Sequence, residues 1–119
     1  MDYYLRDLST KVWLRKTNRH MFAYSDGDRF EQDLLSLFQS ASDVSTNSHE
    51  LEAAIVDWPS EYHLSPARHN LLRPFPIDPG SRVLELGCGC GSMTRYFGEN
   101  GNELVAVEGS IRRAQIAAA

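Results

Sequence analysis

The apolar positions of residues 28–41 recur at the spacing of an α-helix. They are Phe30, Leu34, Leu37, Phe38 and Ala41. A period of three to four residues places them on one side, so the pattern predicts an amphipathic helix over about 28–41. Asp28 and Glu31 have the spacing of an N-terminal capping pair and are predicted to start this helix.

A second apolar stripe follows a polar loop at residues 42–48. Its members are Leu51, Ala54, Ile55 and Trp58. Asn47 and Glu50 are predicted to cap this second helix, and Pro59 to end it, because proline disfavours helical geometry in the residue before it. Trp58 is therefore expected in the core.

Two further segments complete the N-terminal part of the chain. Ser65 followed by Pro66 predicts a short third helix that runs to Pro74. Nearer the N-terminus, two apolar-aromatic runs at 12–15 and 21–24 flank a polar stretch. These runs predict a pair of short strands joined by a turn.

The pattern changes after a proline-rich connector at residues 74–80. Residues 82–86 and 103–108 are predicted to be buried strands, and helices are predicted over 92–100 and from Ile111 onward. Strands that alternate with helices indicate the start of a Rossmann-like, doubly wound α/β sheet with the order β–loop–α–β–α. The chain is thus divided into a mostly helical N-terminal extension, a connector and the first half of a ligand-binding domain: 1–73, 74–80 and 81–119.

The composition is that of a folded globular protein. Of the 119 residues, 42% are hydrophobic and 24% are charged, which excludes a disordered chain. No apolar run approaches the roughly 20 residues of a membrane span, and the N-terminus lacks the features of a signal peptide. A formal net charge of −4 argues against a general nucleic-acid or anionic-membrane binder, so we expect no nucleic-acid partner.

The two cysteines are separated by a single residue. A disulfide between Cys88 and Cys90 would be strained, so both are expected to be reduced thiols in a cytoplasmic protein. Two thiols at this spacing without a nearby second pair make a poor zinc site. We therefore expect no bound metal, and side chains that simply fill the loop.

Residues 87–91 form a glycine-rich turn between a predicted strand and a predicted helix. Glycines at alternate positions allow a sharp turn and leave no side chain between the backbone and a ligand: Gly87, Gly89 and Gly91. The N-terminus of the following helix offers unpaired N–H groups to polar or anionic atoms. Glu108 ends the second predicted strand, where a carboxylate can accept hydrogen bonds from both hydroxyls of a ribose.

Two classes of nucleotide ligand use this geometry. A dinucleotide site is expected to have the pattern G-x-G-x-x-G, but Ser92 occupies the third glycine position. Glu85, two residues before the first glycine, would repel a pyrophosphate and attract a ligand with a free ammonium. A dinucleotide site remains an alternative, and an ion pair with Arg82 or Arg95 is an alternative role for Glu85.

Residues 85–91 resemble the E/D-x-G-x-G-x-G signature of class I S-adenosylmethionine-dependent methyltransferases, and Glu108 matches the acidic residue with which that family binds the ribose. The resemblance covers about residues 80–119. It implies S-adenosyl-L-methionine as cofactor, with the glycine turn against its methionine part and Glu85 near its ammonium. A weaker resemblance, over residues 57–74, is to methyltransferases of bacterial surface-glycan gene clusters.

The resemblance implies a set of cofactor-binding residues that comprises Tyr62, Glu85, Gly87, Cys88, Gly89, Cys90, Gly91, Glu108 and Gly109. Tyr62 is included because an aromatic side chain from the preceding segment could close over the pocket. Two neighbours of Tyr62 have plainer interpretations, His63 as a structural histidine and Arg68 as part of a solvated helix face. The catalytic residues are unknown, because the acceptor-side elements of this family would follow residue 119.

The chain stops inside a predicted helix, and it supplies two strands where a complete domain of this family has seven. We therefore expect an N-terminal portion of a methyltransferase that acts on a small-molecule or glycan acceptor, is inactive by itself and tends to self-associate. Two alternatives remain. One is part of an NAD(P)-dependent oxidoreductase, and the other is a non-catalytic interaction module or remnant.

Overall fold

The structure is a computed structural model that describes residues 3–16 and 24–119. The described residues form a mixed α/β structure with two separate two-stranded sheets, five α-helices and one 3₁₀ helix. No helix among them is long and apolar enough to cross a membrane. The elements in chain order are β1 (Tyr4–Arg6), β2 (Trp13–Arg15), α1 (Asp28–Ser40), α2 (His49–Ala53), α3 (Trp58–Leu64), the 3₁₀ helix (Pro66–Leu71), β3 (Arg82–Leu86), α4 (Ser92–Glu99), β4 (Glu103–Val107) and α5 (Ile111–Ala117).

The N-terminal hairpin differs from the predicted one. A strand is present at Trp13–Arg15, but it pairs with β1, which precedes it in the chain. The second predicted strand, at 21–24, lies mostly outside the described residues, and Tyr24 is not in a strand. The Asp7 side chain accepts two hydrogen bonds from Ser9 and thereby orders the turn between β1 and β2.

α1 confirms the predicted helix, but its N-terminus is built differently. Gly27 is the N-cap residue, and no side chain caps this end, so the predicted capping pair is wrong. Glu31 is instead buried, with 1% exposure, and its carboxylate pairs with Arg113 of α5. A glutamate at this position satisfies the sequence rule for a cap, but the nearby guanidinium is a stronger partner for its charge.

The second predicted helix is in fact two helices, α2 and α3. α3 has Asp57 as N-cap, whose side chain accepts a hydrogen bond from the Ser60 N–H at 2.9 Å. Pro59 thus lies in the first turn of α3 and does not end α2, because the first N–H groups of a helix have no partner within it. Trp58 is 68% exposed, so its predicted place in the core is wrong.

Serine side chains cap the other two short helices of this region. Ser48 accepts a hydrogen bond from the Leu51 N–H at 3.1 Å and caps α2, so the predicted cap by Asn47 and Glu50 is wrong. Ser65 caps the 3₁₀ helix, which confirms the predicted short helix and shows it to be wound more tightly than an α-helix.

β3 and β4 are parallel neighbours, and α4 lies between them in the chain. This confirms the predicted β–loop–α–β–α order, although two strands do not make a complete Rossmann sheet. Both strands are predicted to be buried, but one face of this sheet is exposed. Its side chains are Leu84, Leu86, Val105 and Val107, with exposures between 48% and 74%. The prediction is wrong for this face because nothing among the described residues covers it.

The apolar core joins the N-terminal helices to the glycine turn and to α5. Its fully buried members are Leu34, Phe38, Leu51, Leu64, Cys90 and Ile116. α1 packs against α5 in this core. The core therefore holds the segments after β3 and β4 against side chains that come from the N-terminal half of the chain.

Candidate functional site

A cavity of about 410 Å³ opens at the carboxyl ends of β3 and β4. Its wall consists of the turns that follow the two strands, together with side chains from α3, the 3₁₀ helix, α4 and α5. Tyr24, from the segment before α1, also contributes. The carboxyl ends of parallel strands are where open α/β sheets bind their ligands, so we treat this cavity as the candidate site.

Eight of the nine residues predicted to bind a cofactor line this cavity: Tyr62, Glu85, Gly87, Cys88, Gly89, Cys90, Glu108 and Gly109. Gly91 is not part of the wall. A Cβ atom at Gly91 would lie 2.9 Å from the Cα atom of Ala117, and its φ is +88°. Glycine is therefore required at this position for the close approach of α5.

Gly87 and Gly89 serve the cavity itself. Their φ angles are +72° and +57°, in the region that side chains rarely adopt, and a Cβ atom at either position would meet no atom within 4 Å. The space beside these two glycines is therefore open cavity, and no other part of the described chain packs into it. These two glycines therefore provide an open stretch of backbone that a ligand can approach closely.

The Glu108 carboxylate connects the glycine turn to the start of α5. One oxygen accepts a hydrogen bond from the Gly89 N–H at 2.8 Å, and the other accepts one from the Ser110 N–H, also at 2.8 Å. This bracing role was not predicted from the sequence. A carboxylate has about four lone-pair positions, so acceptor capacity remains for the hydroxyls of a ligand.

Glu85 lies near the carboxyl end of the neighbouring strand, β3, with its carboxylate partly buried. It accepts a hydrogen bond from the Thr94 hydroxyl at 2.7 Å. Burial raises the pKa of Glu85, and the Thr94 bond opposes this only in part. Among the described residues Glu85 has no ion-pair partner, since the Arg95 guanidinium donates to the carbonyl oxygens of Val44 and His63 instead. A cationic ligand group would supply the missing charge.

The two thiols of the glycine turn are free and buried. Burial raises the pKa of Cys88 to about 11 and that of Cys90 to about 12, so both are protonated at neutral pH. In the ranges 3–16 and 24–119 no group of three or more His, Cys, Asp or Glu side chains is placed to hold a metal ion. Protonated thiols are poor nucleophiles and poor metal ligands.

A buried network of charges lies beside the cavity, and the sequence analysis did not detect it. Arg113 donates to Glu31 at 2.9 Å and to Asp26 at 2.6 Å, and His63 Nε2 lies 2.8 Å from the same Asp26 oxygen. Burial works against the charge of Arg113, but the bond to Glu31 and the charge of Asp26 outweigh it and raise the pKa of Arg113. Burial lowers the pKa of His63, although Asp26 opposes this.

Both Arg113 and His63 contribute to the cavity wall, so the network fixes the position of that wall. Glu31 and Arg113 are 82 residues apart in the chain. No local pattern connects them, and the one signal in the sequence was a glutamate that also satisfied the rule for a helix cap.

Two polar atoms of cavity-lining residues are buried without a hydrogen-bond partner among the described residues. They are Nε of Arg68 and the hydroxyl oxygen of Ser92. The Arg68 guanidinium lies over the ring of Tyr62, 4.0 Å from its centroid, and is part of the cavity wall rather than of a solvated helix face. Buried donors without partners are costly, so this part of the wall favours a ligand that carries acceptor atoms.

Comparison of the chain with protein-family models, with curated proteins and with solved structures finds no match. The functional assignment therefore depends on the chemistry of the cavity.

Proposed function

We propose that the chain is the cofactor-binding part of an S-adenosyl-L-methionine-dependent methyltransferase. The observation that carries the proposal is that Glu85, residues 87–90 of the glycine turn and Glu108 contribute to the wall of one cavity at the ends of two parallel strands. The same three features carry the resemblance of the sequence to class I methyltransferases.

The residues of the cavity fit the chemical groups of this cofactor. Gly87 and Gly89 leave open backbone for the methionine part. Glu85 offers its partly buried carboxylate to the ammonium and has no ion-pair partner among the described residues. Glu108 keeps lone pairs for the ribose hydroxyls. The volume of about 410 Å³ lies within the range of small-molecule sites.

The bound cofactor would supply a methyl group on a positively charged sulfur atom. The residues of this chain would bind and orient it, which is the main contribution that a protein makes to such a transfer. Glu108 would hold the ribose while it braces the glycine turn, so that the sugar and the methionine part keep a fixed relative position. Tyr62, which is 42% exposed and lines the cavity, would cover the ligand and exclude water.

The proposal extends to the finer fold, the acceptor and the location of the protein. The position of the cavity supports the assignment of β3–α4–β4–α5 as the start of a Rossmann-like sheet. The acceptor that we propose is a small molecule or a glycan, and the weaker resemblance of residues 57–74 does not identify it. The free thiols at Cys88 and Cys90 support a cytoplasmic location.

Isothermal titration with S-adenosylhomocysteine and with NAD tests the proposal. We expect the chain to bind S-adenosylhomocysteine and Gly89→Val to abolish this binding. The branched side chain would occupy space in the cavity, and valine is strained at the Gly89 φ of +57°. Gly98→Val is the matched control, since Gly98 lies within α4 and a Cβ atom there meets nothing within 4 Å. Binding of NAD alone would favour the oxidoreductase alternative, and binding of neither ligand would favour an interaction module.

A further inference from the structure

We infer that the N-terminal hairpin, residues 3–16, is a docking surface for anionic lipid membranes. The hairpin carries exposed aromatic and basic side chains, and none of its residues belongs to the apolar core that the described residues form. The inference goes beyond the proposed function and does not depend on it, because the hairpin is not part of the cavity wall.

One face of the hairpin combines aromatic rings with guanidinium groups. In the register of β1 and β2, Tyr4 lies opposite Arg15. In the same register, Arg6 lies opposite Trp13. Opposite residues of an antiparallel pair share a face, and so do alternate residues of one strand, so these four side chains lie together. The Arg6 guanidinium lies over the Trp13 ring, 5.9 Å from its centroid. The two strands contribute two rings, two cations and no acid to this face.

The large apolar side chains of the hairpin are exposed to solvent. Trp13 is 57% exposed, and Leu8, in the turn between the strands, is 85% exposed. This exposed set continues with Tyr3, Tyr4 and Leu5. Large apolar side chains that are exposed side by side, with polar groups around them, mark a surface that contacts another molecule.

The charge of the hairpin is opposite to that of the whole chain. Residues 3–16 contain four basic residues and one acidic residue, whereas the chain has a formal net charge of −4. The acid is Asp7, whose carboxylate accepts hydrogen bonds from Ser9 and Thr10 within the turn. The net charge argues against a chain that binds anionic membranes over its whole surface. Because the positive charge is concentrated in the hairpin, this segment can face such a membrane while the acidic remainder of the chain stays in water.

The aliphatic side chains favour a membrane over a single-stranded nucleic acid. Rings beside cations suit both partners, because bases stack on aromatic rings and phosphates pair with guanidinium groups. Leu5 and Leu8 add little to a contact with a nucleic acid. A lipid surface takes up leucine, tryptophan and tyrosine together at the boundary between headgroups and acyl chains. Lysine and arginine beside them reach the anionic headgroups.

Sedimentation with lipid vesicles tests the inference. The chain should bind vesicles of phosphatidylcholine with phosphatidylserine much more tightly than vesicles of phosphatidylcholine alone, and salt should weaken the binding. Replacement of both Arg6 and Arg15 by glutamine should weaken it about 10- to 30-fold, since each cation at an anionic surface contributes about fivefold.

Replacement of both Arg29 and Arg82 by glutamine is the matched control. It makes the same change in net charge at two exposed arginines outside the hairpin, and it should leave binding nearly unchanged. Equal binding to both kinds of vesicle, or the same loss in the control, would overturn the inference.

Tryptophan fluorescence locates the contact. The chain has two tryptophans, and both are exposed, Trp13 at 57% and Trp58 at 68%. In the Trp58→Phe variant, Trp13 is the remaining indole, and its emission should move to shorter wavelength when phosphatidylserine vesicles are added, because the ring enters less polar surroundings. In the Trp13→Phe variant, the emission of Trp58 should stay unchanged. A shift of the Trp58 emission, or no shift of the Trp13 emission, would overturn the inference.

A labelled single-stranded oligothymidylate tests the other kind of polyanion by fluorescence anisotropy. We expect the chain to bind it more weakly than the anionic vesicles. If the chain binds the oligonucleotide and not the vesicles, the hairpin is a nucleic-acid surface and the inference is wrong. None of these measurements involves S-adenosylhomocysteine, so their outcome is separate from that of the methyltransferase proposal.

Discussion

Replacement of Arg113 by methionine should remove a large part of the stability of the folded chain. Arg113 is 6% exposed and is the partner of two carboxylates, those of Glu31 and Asp26. Methionine fills a similar volume but leaves the Glu31 carboxylate, which is 1% exposed, without its closest cation. A buried charge that loses its partner is strongly unfavourable, whereas the loss of the pair as a whole is not.

The magnitude follows from the burial of the pair. Removal of one partner of a buried ion pair typically costs about 3–5 kcal/mol. Arg112 lies 3.6 Å from the other oxygen of Glu31 and offsets part of the loss, so we expect the lower end, about 3 kcal/mol. A domain of this size has a free energy of unfolding of roughly 5–15 kcal/mol. The melting temperature should fall on the order of 10 °C.

Urea unfolding followed by circular dichroism measures this loss. Arg112→Met is the control, since Arg112 is 41% exposed and its removal should cost less than about 1 kcal/mol. The double variant Glu31→Gln, Arg113→Met should be more stable than Arg113→Met alone, because it leaves no unpaired charge on Glu31. If Arg113→Met costs less than about 1 kcal/mol, or if the double variant recovers no stability, the ion pair between Glu31 of α1 and Arg113 of α5 does not stabilise the fold.

Three further predictions concern the cavity and the exposed sheet face. Glu108→Ala should weaken binding of S-adenosylhomocysteine about 10- to 100-fold in calorimetry, and Glu108→Gln should lose less because one acceptor oxygen remains; equal affinity in all three proteins would remove Glu108 from the ligand contacts. The affinity for S-adenosylhomocysteine should also fall as the pH is lowered. Burial raises the pKa of Glu85 above 4.5, so its carboxylate should take up a proton, and lose its attraction for the ammonium, at a higher pH than an exposed glutamate would. A Glu85→Gln variant that kept the same pH dependence would contradict this. Leu84→Lys should reduce self-association in size-exclusion chromatography with light scattering, because it places a charge on the exposed apolar face, whereas Val56→Lys, at an exposed position off that face, should not; an unaltered chain that is monomeric at all concentrations would refute the role of this face.

The local sequence determined where most elements lie and where several of them begin. The apolar period placed α1, and Ser65 with Pro66 placed the 3₁₀ helix, because helix spacing and caps are properties of a few neighbouring residues. The same local rules misplaced Pro59, since proline suits both the end of one helix and the first turn of the next. The capping box formed by Asp57 and Ser60 shows that Pro59 lies in the first turn of α3. This cap is also a pattern of neighbouring residues, so the sequence contained the information.

The sequence by itself also determined the outline of the candidate site. The sequence places three features at the ends of two predicted strands: Glu85, the glycine turn and Glu108. Parallel strands bring their carboxyl ends to the same edge of a sheet, and this does not depend on how the rest of the chain folds. Only the tertiary structure decided what surrounds them. The contact of Arg113 with Glu31 requires α5 to dock on α1 across 82 residues of chain. The exposure of Leu84 depends likewise on whether another element covers that face, and a hydrophobic period shows only that a face is apolar.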